Sequence, residues 1–252
     1  LYEQFTELVP PGDRGNKVVE MLAERLVQAD LLGRASKLLK YQIDHRLSGS
    51  EAYRVAVRLS AIELLDSRPS DAIETLKKAV KFLQTLPEES QSPARFAELS
   101  LLRARALSDQ GRPDQALALL NDLEASTDSN RLKADIAWGA GYWDDAGEAL
   151  GDVILDRNFS FTRPLESKDT ALILQRSVAL SLAGDRIALA NMREKYSDLM
   201  AQTDKSNVFD VITRPRQSAA LADRDTLLNI VSETDLFAEF LENYRTTTPP
   251  SN

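Results

Sequence analysis

An all-α fold of stacked helical hairpins is predicted by three observations on this 252-residue sequence. Ala and Leu are conspicuously common, aromatic residues make up only 6%, and no stretch shows the sustained alternation of a half-buried strand. Apolar positions instead recur at helical spacing in short runs, each broken by a corner rich in Gly, Pro or Ser. The broken runs recur at intervals of 37, 44, 30 and 43 residues, measured between Ala35, Ala72, Ala116, Ala146 and Leu189. Periods between roughly 20 and 50 residues mark stacked repeat architectures, and the irregularity is expected in the loops between hairpins.

Residues 1–16 contain "VPPGDRG" and read as an extended opening segment, because Pro lacks the amide donor a helix needs and Gly favours turns. The first hairpin follows, with Val19, Leu22, Leu26 and Val27 on one helix, a corner at Leu31-Leu32-Gly33, and Ala35, Leu38, Leu39 and Ile43 on the next. The second turns at Ser67 to Pro69 and continues through Ala72, Leu76 and Ala79. The third turns at Gly111 to Pro113 and continues through Ala116, Leu119 and Leu120. Here the punctuation has a mechanism: Gly takes the left-handed conformation that closes a helix, and Pro suits the first turn of the next. The fourth and fifth hairpins turn at Gly141 and Gly184. In these last three units the corner glycine stands five residues before the packing position: Gly111 before Ala116, Gly141 before Ala146, Gly184 before Leu189.

Residues 139–151, "GAGYWDDAGEALG", raise a competing reading as a phosphate-cradling loop. A dinucleotide fingerprint requires G-x-G-x-x-G after a strand, and a P-loop requires a closing Gly-Lys-Ser/Thr. Neither is present, and the preceding "RLKADIAW" reads as a helix, so the stretch is expected to be a corner. Gly147 and Gly151 fall inside the following helix, where each costs on the order of 1 kcal/mol against Ala. Close helix packing or local flexibility beside a binding surface would account for them.

These residues resemble the tetratricopeptide repeat family, or a related helical-hairpin repeat. The matching positions are Gly111 with Ala104 and Ala116, Gly141 with Trp143, Ala134 and Ala146, and Gly184-Asp185. The family's first-helix Trp is missing from most units, and its usual period of about 34 residues is not kept. The resemblance implies a right-handed superhelix of about five hairpins over residues 17–202, with a connection and C-terminal capping helices over 203–245 and a disordered tail over 246–252. Thr234 is expected to cap a last amphipathic helix through Leu236, Phe237, Phe240, Leu241 and Tyr244. Carrying the family's groove-facing positions onto the first helices gives Arg54, Glu98, Arg105, Asp109, Arg131, Asp135 and Trp138 as partner-binding residues. Charges of both signs beside one Trp suit an extended peptide, and the implied function is protein interaction or assembly.

Composition limits the alternatives. A net charge of −8 opposes general attraction to nucleic acid, whose binding is dominated by phosphate neutralisation. No cysteine is present, which removes thiolate catalysis, disulfides and cysteine zinc sites and is compatible with a cytoplasmic or a periplasmic setting. No apolar run approaches the roughly 20 residues that span a bilayer, and no charged-then-apolar signal opens the chain. His45 is the sole histidine and has no cysteine to activate, while the acidic pairs Glu88-Glu89 and Asp144-Asp145 read as solvated faces. No catalysis, cofactor or metal is expected. The chain lacks an initiator methionine and ends in "TTTPPSN", so it is expected to be a piece of a longer protein. Two further readings stand beside the scaffold: a helical accessory region of a larger enzyme, for example one acting on cell-wall glycan, and a sensor binding a small ligand or nucleic acid. Clustering of Arg54, Arg58, Arg103, Arg105 and Arg131 into one strip would favour the second. Self-association through an uncovered end of the stack is a further expected mode.

Overall fold

The computed structural model describes residues 12–157, 159, 164–214, 227–228 and 235–245, and among these it is helical without strands. Two compact units divide the chain, Leu1–Leu123 with Ala238–Asn252, and Glu124–Phe237. The first unit holds α1 (Asp13–Gln28), α2 (Leu32–His45), α3 (Gly49–Leu65), α4 (Pro69–Gln84), α5 (Pro93–Asp109) and α6 (Pro113–Asn121), and regains the chain at α12 (Ala238–Glu242) with a 3-10 turn at Asn243–Arg245. The second holds α7 (Thr127–Ala140), α8 (Trp143–Arg157), α9 (Ser167–Ala183), α10 (Arg186–Met200) and α11 (Ser206–Thr213). Within each unit, consecutive helices pack against one another. The first helix starts at Asp13, inside the stretch read from sequence as extended, and Thr234 lies outside the described residues.

One corner is used five times. A residue with positive φ follows the first helix of every hairpin: Asp30 (57°), Ser67 (54°), Gly111 (72°), Gly141 (74°) and Gly184 (78°). The next residue donates its N–H to the carbonyl five residues back, at 2.8 Å for Leu31, 2.8 Å for Arg68, 3.0 Å for Arg112, 2.9 Å for Tyr142 and 3.0 Å for Asp185. That bond satisfies a carbonyl left open at the helix end. The same residue's carbonyl then accepts the first bond of the second helix, from Ala35, Ala72, Ala116, Ala146 and Leu189. A single residue thus closes one helix with its N–H and opens the next with its C=O. The second helix is thereby brought against the first, and Ala35, Ala72, Ala116 and Ala146 are all fully buried there. Leu31-Leu32-Gly33 is therefore not the turning point of the first hairpin: Asp30 takes the left-handed conformation, and Gly33 lies in the first turn of α2.

Gly147 and Gly151 are explained by packing. A Cβ on Gly147 would stand 2.8 Å from Leu180 Cδ2, and one on Gly151 would stand 2.7 Å from Arg176 Nη2. Arg176 lies across this side of α8 and donates from Nε to the Gly147 carbonyl at 3.1 Å. The two glycines are the room α9 needs.

A terminal helix is expected to shield the last hairpin, and α11 does so: it packs on α9 and α10, burying Phe209 and Ile212. The final helix has another place. It is shorter than the sequence reading, with Leu236 and Phe237 in the turn before it, and it packs against α3 of the first unit.

Candidate functional site

In the first unit, α3 is buried on nearly every side, from Ala52 to Leu64. A helix apolar all round has neighbours all round. One side meets α2 and α4, and α5 and the terminal segment at residues 238–245 cover more of it. The 3-10 turn also touches α1, so the terminal segment rests on the first helices of the unit.

Its contacts are specific. Leu241 is buried, and the Phe240 and Tyr244 rings meet edge to face with centroids 5.5 Å apart. The Tyr244 hydroxyl donates to Glu98 Oε1, while the Tyr53 hydroxyl donates to Glu98 Oε2 at 3.2 Å. Burial, and then the Glu98 charge, push the Tyr53 phenol well above its ordinary value. Arg58 donates from Nε to the Tyr244 carbonyl at 3.1 Å and from Nη2 to the Arg245 carbonyl at 3.3 Å. Its Nη1 is buried without a hydrogen-bond acceptor. Burial lowers the Arg58 pKa, against the charges of Glu24 and Glu20, which favour the cation. Arg245 reaches Asp30, Nη1 to Oδ1, at 3.0 Å.

The residues singled out from sequence fare differently. Glu98 accepts from the Tyr244 hydroxyl of this chain. Arg54 pairs with Glu20 at 2.9 Å beside a polar cleft of about 350 Å³ also lined by Asn16, Lys17, Gln42 and Glu51. Arg105 and Asp109 pair with each other at 2.9 Å along α5. In the second unit, Asp135 accepts from the backbone N–H groups of Leu236 and Phe237 at 3.0 and 2.8 Å. Burial pushes its carboxyl up to about 8, against the pull of those two bonds. Arg131 lies on the same helix, half-buried.

Trp138 is a correction. It is 7% exposed and belongs to the core of the second unit, meeting Trp143 edge to face at 5.4 Å. An indole in that position holds the fold and cannot anchor a docking partner. Of the arginines considered for a strip, Arg58 is buried on main-chain carbonyls, and Arg54 and Arg105 pair with carboxylates.

The contact of Arg58 with residues 244 and 245 has one signal in the sequence. The stretch "VAVRLSAIELL" of α3 is apolar on more than one side, which demands a cover beyond α2 and α4.

Among the described residues no three His, Asp or Glu side chains converge as a metal site, and no helix is long and apolar enough to cross a membrane. No protein-family model matches the chain, and no curated protein or solved structure matches it.

Proposed function

We propose that this chain is a non-catalytic interaction scaffold, a tetratricopeptide-like right-handed superhelix that docks a short peptide or helix on the face formed by the first helices of its hairpins. The observation that carries the reading is residues 238–245 resting on α1 and α3 and bonded to Glu98 of α5, held through a main-chain contact from Arg58 and side-chain contacts from Glu98 and Asp30. A face that reads peptide carbonyls with a guanidinium and side chains with carboxylates has the chemistry of peptide recognition. The five equivalent corners support the repeat architecture on which such a face depends.

The test is a random-peptide display screen against the immobilised chain, counter-screened on a Glu98→Ala, Arg58→Met variant whose helicity is preserved. Peptides that bind the native chain and lose binding on the variant are the expected result. Enrichment of no peptide, or only of peptides indifferent to the variant, would overturn the reading.

A further inference from the structure

We infer that residues 238–245 are an intramolecular occupant of this docking face, and that its partner is a protein segment ending a short helix with an aromatic residue followed by a basic one, which enters by displacing them. The inference rests on the docking reading above and adds the partner's chemistry and its regulation.

Three observations carry it. The first is what the face recognises. Glu98 takes the Tyr244 phenol, Asp30 takes the Arg245 guanidinium, and Arg58 takes two main-chain carbonyls that any sequence would offer. Specificity therefore lies in an aromatic hydroxyl followed by a cation. Glu98 and Asp30 are the acceptors that the occupying segment meets, and they favour a donor or a cation at these two points.

The second is how lightly the occupant is held. It is a helix of five residues and a 3-10 turn of three, far too short to be stable alone. Leu241 is its one buried side chain, and one of its bonds, Arg245 to Asp30, is largely exposed on the Asp30 side. Segments with few buried contacts open at low free energy.

The third is a deficiency. The resident segment leaves the buried Arg58 Nη1 without an acceptor. A buried unmet donor is costly, so a segment that supplies one further acceptor at this point fits the face better than residues 238–245 do.

Occupancy sets the expected size of the effect. A face covered about 90 to 99% of the time binds a competitor roughly ten to a hundred times more weakly than an open one. The probe is a fluorescein-labelled peptide of the sequence Ala238–Arg245, titrated by fluorescence anisotropy into the native chain. A Tyr244→Ala, Arg245→Ala chain opens the face, and Tyr244→Phe, which removes one hydroxyl, opens it less with minimal risk to folding. Glu98→Ala and Asp30→Asn are then added to the opened chain.

The expected result is weak binding to the native chain, at least tenfold tighter binding to the opened chain, intermediate binding to Tyr244→Phe, and loss on adding Glu98→Ala and Asp30→Asn. Equal tight binding to native and opened chains would overturn the displacement inference while leaving the docking reading intact. Absence of binding to every chain, or binding indifferent to Glu98 and Asp30, would overturn both.

Discussion

Gly184→Ala isolates the backbone contribution of the repeated corner. Gly184 has φ of 78° and ψ of 13°, and an added Cβ would find no atom within 4 Å. Steric contact with neighbours therefore contributes nothing, and the penalty is the left-handed conformation itself. For an L-residue this costs roughly 1–2 kcal/mol. Stiffening the unfolded chain returns about 0.4–1 kcal/mol, so a net loss of about 1 kcal/mol is expected. With a urea dependence of about 1–3 kcal/mol/M, the unfolding midpoint falls by roughly 0.3–1 M. The assay is already built in, because both tryptophans, Trp138 and Trp143, lie in the second unit with Gly184. Their fluorescence reports the unfolding of that unit. An unchanged or raised midpoint would refute the argument that the corner depends on a left-handed residue. The reverse substitution, Ser67→Gly, relieves a non-glycine residue at φ 54° and is expected to raise the midpoint read by helical circular dichroism.

Three other outcomes follow from the same geometry. Trp138→Ala is expected to cost about 3–5 kcal/mol in urea unfolding followed by circular dichroism, as for a large core side chain and unlike a surface anchor. Asp135 has a native-state pKa raised by burial to about 8, so the unfolded chain ionises first, and stability falls as pH rises from the ordinary carboxylate range toward 8. Tryptophan-detected midpoints at pH 5 and pH 8.5 should show that loss in the native chain and a flatter profile in Asp135→Asn. For Gly147→Ala and Leu180→Ala, a double-mutant cycle should give a coupling of about 1 kcal/mol or more, because the added methyl collides with the Leu180 side chain that the second substitution removes.

The hairpins were legible where Gly or Ser-Arg-Pro marks the corner, and the corner was displaced only in the first, where Asp30 turns the chain. Gly111, Gly141 and Gly184 announce a left-handed residue, whereas Asp30 and Ser67 adopt that conformation under tertiary constraint, which composition does not reveal. The spacing of five residues to a buried Ala connects the first four corners once the backbone is known. Trp138 carried its own warning. It stands one helical turn after the fully buried Ala134, and residues four apart share a face, so its neighbourhood already pointed inward. Glu98 is legible as an acidic position on the first helix of the third hairpin. Its partner was out of reach, since Tyr244 lies 146 residues away and no periodicity links a terminal turn to a helix so distant in the chain. Asp135 was read as facing a partner, and it does bind peptide N–H groups, those of Leu236 and Phe237 a hundred residues on.

Asp30 meets two demands with one residue. Its backbone makes the first corner at φ 57°, where glycine would be easier, and its carboxylate holds Arg245, which glycine could not. The first hairpin thus keeps a strained turn in order to own a latch. Relaxing the turn by Asp30→Gly would favour folding of the hairpin and at the same stroke remove one of the holds on Arg245. Folding ease and retention of residues 238–245 are set against each other at a single position.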